Sequence, residues 1–484
     1  MDLLDLSATE IARLIRRREV TPLDVVDHHI ARIEAVNPLL NAVVVDRFAD
    51  AREEARQAKE TLAKLKRGKK RIPPLLGVPC TVKEFYAVKG LPSTGGIVRR
   101  QFHRAEKDST AVQRLRTAGA IVLGITNAPE GGLWSETNNR VYGRTNNPWD
   151  LKRTPGGSSG GEAAIIAAGG APFGLGSDLG GSIRIPSALC GIASHKPTGW
   201  LVPGTGHFPE MTDSASRLQA FGPMVRRVED LMPLLRILAG PDGVDPNVRE
   251  TPLGDPDAVD LSGVRVFFIE DPPRPKLQPA VREAVQRAAK ALENRGATVE
   301  PWTSPKLRRV FGMWSAILET ESTGSAYREM LGDGKPVGLR WELLKYPLGR
   351  SEHISIALGL MLLESALKWM PKGSKSKLVR EAAVFQRELE DLLGEDGVLL
   401  HAPYRSTALR HHEMLLKPFG FLPTALFNVV EFPATTVPLG FDDRGLPLGV
   451  QVAARRGNDH LTIAVARSLE DLFGGWVRAE PTAR

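Results

Sequence analysis

LLGVPCTV at 75–82, STAVQRLRTAG at 109–119 and AIVLGITN at 120–127 decide the architecture of this chain. The outer pieces are short apolar runs punctuated by glycine, and the middle piece places its apolar residues at helical spacing. Strand, helix, strand with such a crossover makes the two strands parallel neighbours, and a parallel pair needs helices on its faces. The predicted class is therefore α/β.

Outward from this unit, GGSSGGEAAIIAAGG (156–170) reads as a glycine-rich loop opening a short helix of small residues, and PFGLGSDL (172–179) as another buried strand. Near the end, FPATTVPLGF (432–441) and GLPLGVQVAA (445–454) read as two strands joined by the turn DDRG, followed by a helix from about Asp459 to Phe473. At the start, Ser7 and Glu10 make a capping-box pattern before Ile11, Leu14 and Ile15, and a second helix is expected from Thr21 with Pro22 at its first position. Residues 245–415 differ: an acidic, Pro-rich linker leads into amphipathic helices with fewer glycines. Two distant strand-bearing blocks around a helical middle suggest one domain. It would have a helical cover over 1–70, a core at about 71–240 and 415–475, and an insertion at about 245–415.

Composition is ordinary for a folded globular chain, with 42% hydrophobic and 25% charged residues. Two cysteines, Cys80 and Cys190, permit neither a disulfide framework nor a zinc ribbon, and a reducing, cytoplasmic compartment fits best. The net charge of +8 is partly gathered in the run Lys64–Arg71 and in Lys368, Lys372, Lys375 and Lys377. No aromatic residues interleave with the first run to stack bases, so nucleic acid is not an expected partner. The start of the chain lacks the pattern of a secretory signal. The most apolar stretch, 354–363, is too short for a span of about 20 residues, so no transmembrane helix is expected. The surrounding segment 353–377 reads as a buried helix, with a lid or a membrane-surface helix as its alternatives.

The chemistry concentrates in TPGGSSGGE (154–162) and GSDLGGSIR (176–184). Such loops cradle phosphate, form an oxyanion hole or make tight turns. A Walker loop would need Gly-Lys before Ser or Thr, and a dinucleotide loop GxGxxG; Gly174, Gly176 and then Leu179 fail the latter. Gly157, Ser159 and Gly161 match the GxSxG nucleophile elbow, whose Ser159 would need a histidine that no local pattern marks.

The arrangement resembles the amidase signature family. Ser158 and Ser182 stand at that family's spacing, and Lys83 in PCTVKE precedes them in register; the likeness extends through LGITNAPE, YGRTNNPWD and HKPTG to FPATTVPLGF. The resemblance implies a large twisted, mixed and mostly parallel sheet covered by helices on both faces. It also implies a Lys83, Ser158, Ser182 triad acting through an acyl-enzyme without metal or organic cofactor, and a cis peptide between Gly157 and Ser158. The backbone N–H groups of Leu179, Gly180, Gly181 and Ser182 would form the oxyanion hole. Asp178 and Arg184 would brace the loop, and Ser159 would support Ser158 or Lys83 by hydrogen bonding.

The residue types argue the same way without the name. A serine hydroxyl needs an adjacent base, which without a marked histidine is a lysine. Lysine, ordinarily near pKa 10.4, serves near neutral pH only when burial lowers that value. Within the family, VKEFYAVKGLP, GITNAPE and SDLGGSIRIP liken the chain to fatty-acid amide hydrolases of the second type and their bacterial relatives. The expected substrate is then a small amide with an apolar fatty-acyl or aryl group, esters included. Glutamine-hydrolysing amidotransferase subunits are the alternative, against which Leu179 and the LVPGTGHFP continuation count. Trp302, Phe311, Met313, Trp314, Ile317 and Leu318 recur at helical spacing as either core or pocket wall. A homodimer stays open.

Overall fold

The computed structural model describes residues 2–64, 72–132, 134–211, 214–319, 326–367 and 372–481. Residues 66–71 of the first basic run, and Lys368, lie outside them. The amino-terminal helices form where their caps dictate. α1 (Ala8–Arg17) starts from the Ser7–Glu10 capping box, and α2 (Pro22–Leu40) from Thr21, with Asp24 completing a second box. Asp230 accepts the N–H groups of Ala8 and Thr9 at 2.7 and 2.8 Å, so donors that α1 cannot satisfy internally are met by the body of the protein.

β1 (Val43–Asp46) interrupts the expected helical cover as an edge strand, and α3 (Phe48–Lys64) follows it. β2 (Pro79–Lys83), α4 (Thr110–Thr117) and β3 (Ile121–Thr126) are the unit on which the sequence reading turned, and β2 pairs parallel to β3. A small hairpin, β4 (Asn138–Asn139) and β5 (Gly143–Arg144), stands apart. Then come α5 (Gly160–Ala167), β6 (Phe173–Asp178), α6 (Arg184–Cys190), β7 (Ala193–Lys196), β8 (Ala220–Val225) and α7 (Leu231–Leu238).

The middle region supplies β9 (Arg265–Phe268), α8 (Pro279–Glu293), β10 (Thr298–Pro301), α9 (Val310–Glu319), α10 (Ala326–Leu331), α11 (Leu339–Lys345), α12 (Ser355–Leu367), α13 (Lys372–Leu393) and β11 (Gly397–His401). α14 (Leu422–Val429), the hairpin strands β12 (Ala434–Phe441) and β13 (Pro447–Ala454), and α15 (Asp459–Phe473) complete the chain. The region read as helical thus contains three strands. At four or five residues each, they are too short to show a period between long helices.

The main sheet runs β1-β3-β2-β6-β8-β7-β12-β13-β11-β9-β10. It is mixed, and its parallel ladders form two blocks, β3-β2-β6 and β11-β9-β10. The expected parallel character resides in those blocks. Antiparallel ladders through β8, β7, β12 and β13 join them, because the β12–β13 hairpin is antiparallel by construction.

Helices cover both faces. Alternation along β13 sends Leu448, Val450, Val452 and Ala454 to the face covered by α1, α4, α7, α8 and α15, while Ala453 meets α9, α13 and α14 on the other. α2 and α5 extend that second cover over β3. α12 buries Ile356, Ala357, Leu358 and Met361 against Ile97, Leu331 and Val337, and exposes Leu362 and Leu363.

Candidate active site

Lys83, Thr126 and Asp178 are the last residues of β2, β3 and β6, so the parallel block delivers all three to one end of the sheet. There the Lys83 Nζ donates to Ser158 Oγ at 2.6 Å and to Ser177 Oγ at 3.0 Å. The Gly157–Ser158 peptide is cis. The loop carrying Ser158 is tied to the loop carrying Ser182 through the backbone, Ser159 N–H donating to Ser182 O at 3.1 Å. Exposure rises along the series: Lys83 is fully buried, Ser158 is 3% exposed and Ser182 is half-buried.

Burial pushes the Lys83 ammonium down to about 7, while the negative charges of Asp178 and Glu162 resist that shift. Glu162 lies beneath the lysine, accepting from Thr126 Oγ1 at 2.6 Å and also from Thr81 Oγ1. Gly174 makes room for it, since a Cβ there would collide with the Glu162 carboxylate. Burial raises Glu162 to about 7 against the two threonine hydrogen bonds. Glu84, next to the lysine in sequence, is likewise raised to about 7 by burial, although it accepts N–H groups from Thr94 and Gly95 at 2.5 and 2.8 Å. His207 packs edge-on against Phe85 and Tyr86, and burial pushes it down to about 3.

Asp178 organises the second loop. Its carboxylate accepts from Gly181 N–H at 2.7 Å, from Ile183 N–H at 3.1 Å and from the Arg184 guanidinium at 2.9 and 3.0 Å. Arg184 also donates to Thr424 O, Gln451 Oε1 and Asn428 Oδ1, so a fully buried cation is completely engaged. Although burial opposes it, Arg184 holds the Asp178 carboxyl well below the usual range. Gly181 sits at φ +127°, and a Cβ there would strike Thr424. The Trp314 Nε1 donates to Leu179 O at 2.8 Å, and Trp314 and Phe421 together wall the face of Gly180.

The structure therefore brings Lys83, Ser158, Asp178, Arg184 and the 179–182 loop together. Two expectations change. The Gly181 N–H, expected in the oxyanion hole, is instead committed to the Asp178 carboxylate. The side chain of Ser159 bonds neither Lys83 nor Ser158; it is fully buried with its Oγ donating to Ser177 O at 3.4 Å, and Ser177 is the lysine's second partner. Ser159, the residue at the elbow position, is fully buried, whereas Ser182 is half-buried. Trp314 belongs to the stripe expected as core or pocket wall, and it stands beside the 179–182 loop; Ser177, Glu162, Thr424, Asn428 and Gln451 are not marked in the sequence as site residues. Only Glu162 had a local signal, an acid heading an otherwise small and apolar helix.

A family model described as Amidase matches residues 24–463. The chain belongs to the amidase family. It is 42% identical to fatty-acid amide hydrolase 2-B of Danio rerio over 98% of this chain and 91% of that protein. It is 40% identical to fatty-acid amide hydrolase 2 of Homo sapiens over 98% and 90%. Among solved structures, 6-aminohexanoate cyclic dimer hydrolase complexed with substrate superposes with a TM-score of 0.83 at 28% identity, covering 100% of this chain and 99% of its own. The protein is accordingly an amide-hydrolysing enzyme of mixed α/β fold. Among the described residues no helix is long and apolar enough to cross a membrane.

Proposed function

We propose that the enzyme cleaves amides of an apolar acyl group, with Ser182 as nucleophile, Ser158 as proton relay and Lys83 as base. The observation that carries this reading is the 2.6 Å contact between Lys83 Nζ and Ser158 Oγ, made by a lysine whose burial brings it to about 7. Neutral Lys83 takes the Ser158 proton as Ser158 takes that of Ser182, and Ser182 Oγ bonds to the carbonyl carbon. The relay needs the two hydroxyls to close on each other with substrate present, as catalytic hydrogen bonds commonly do. The N–H groups of Leu179, Gly180 and Ser182 receive the developing oxyanion. The proton held on Lys83 returns by Ser158 to the leaving nitrogen as the C–N bond breaks, and water then reverses the sequence to free the acid.

Besides the substrate and the hydrolytic water, the proposed steps draw on this chain's own side chains and backbone. Leu179, Trp314 and Phe421 beside Gly180 support an apolar acyl group, as do the fatty-acid amide hydrolase names of the relatives. Buried, unpaired Cys80 and Cys190 support a reducing compartment such as the cytoplasm.

The test is fluorophosphonate labelling with mapping of the modified peptide. Adduct on Ser182, lost in Ser182→Ala, is expected; adduct on Ser159 would sink the mechanism. Hydrolysis of long-chain or aryl amides by the purified single chain is expected as well, and its absence would favour the partner-dependent amidotransferase alternative.

A further inference from the structure

A cavity of about 440 Å3 opens between the segments 276–278 and 405–417. None of Lys83, Ser158, Ser182 or the 179–182 loop lines it. Its wall is cationic. Arg153 and Arg444 are neutralised by Asp150 and Asp442, each at 2.8 Å. Lys276, Arg405, Arg410 and Lys417 also line it, and among the described residues none of these four has an ion-pair partner. Glu413 is the one acid in the wall, and its carboxylate is engaged with the Arg410 backbone N–H at 3.0 Å. Four unmatched cations on a concave surface repel one another and focus a positive potential on the space between them.

A second observation points to a ligand. Ser406, between the cavity-lining Arg405 and Thr407, is nine-tenths buried, and its Oγ has no hydrogen-bond partner. A buried hydroxyl left unpaired is costly, and such a group calls for an unseen partner.

We propose that this cavity binds a small molecule through a phosphoryl group. Guanidinium forks match phosphoryl oxygens in pairs, a dianion offsets about half of the four unmatched positive charges, and the Ser406 hydroxyl supplies a further donor. The volume lies within the range of small-molecule sites. Six cationic side chains line the wall against three apolar ones, Leu277, Ala408 and Leu409, so it favours an anionic ligand over the apolar acyl group of the proposed substrate. Leu415, Leu416 and Phe419 are exposed around Lys417, so a phospholipid headgroup and a soluble phosphate ester present the same chemistry to the site.

The experiment uses the full chain and two probes, glycerol 3-phosphate by calorimetry at fixed ionic strength and sedimentation with phosphatidylglycerol-containing vesicles. Saturable binding is expected in at least one arm, weakened about tenfold or more in Arg405→Ala and in Arg410→Ala. Ser406→Ala should weaken it too, and the exposed Lys64→Ala should not. Glycerol 3-phosphate binding identifies a soluble ester as the source. Vesicle binding alone, competed by inorganic phosphate, identifies a headgroup. Non-saturable binding, or binding that all of these variants keep, overturns the proposal. Amide turnover in Arg410→Ala should stay at the wild-type level, so this result is separable from the fate of the triad.

Discussion

Lys83 carries the sharpest residue-scale expectation. A group whose pKa falls from 10.5 to about 7 is neutral only above that pH, so a neutral-lysine base makes kcat/KM rise with pH through about 7 and then level off. A pH–rate profile checks this, and a limb near 10 would refute it. Lys83→Ala should lower turnover by orders of magnitude with the circular dichroism spectrum unchanged. Lys83 was legible only through its register with Ser158 and Ser182, because one lysine among 64 basic residues carries no signal of its own. Ser177 was not legible at all. It looks like an ordinary polar residue at a strand end until the fold brings it within 3.0 Å of the lysine.

At the scale of elements, β6 and α6 meet at the Asp178–Arg184 pair, with both side chains fully buried. Removing one partner of such a pair strands the other, so Asp178→Asn should destabilise the protein by about 3–5 kcal/mol, read as a lower thermal midpoint. Because Arg184 also reaches Asn428 and Gln451, the loss should spread to α14 and β13, visible as faster amide hydrogen exchange there. The bracing pair could be read from the sequence. Its partners 244 and 267 residues away could not, since no local period links them. The helix α9 has a testable role too. Trp314→Phe keeps the aromatic wall but loses the hydrogen bond to Leu179 O, so kcat should fall by up to about tenfold with KM little changed. At the other end of the chain, Ser7→Ala should cost about 1 kcal/mol through the lost cap.

For the whole molecule, the legible parts were those with strong local punctuation: the capped N-terminal helices, the glycine-marked strands from 75 to 178, and the C-terminal hairpin with its helix. The block β11-β9-β10 was hidden because strands of four or five residues between long helices show no alternation, and their identity is fixed by pairing across the sheet. The middle of the chain thus contributes three strands to the sheet and, through α9, the Trp314 that bonds Leu179 O. A panel of acyl chain lengths should separate these contributions. Trp314→Ala and Phe421→Ala should change which acyl groups are preferred, whereas Val266→Ala in β9 should lower stability and leave preference alone.

The descending exposure from Ser182 to Ser158 to Lys83 gives the proposed relay a single open end. A proton drawn inward arrives on a lysine with no exposed surface, where no buffer ion can touch it. The path back runs through Ser158, and at that moment the waiting acceptor is the departing amine. Enclosure would then do more than tune a base: it would turn each proton withdrawn from the nucleophile into one reserved for the leaving group.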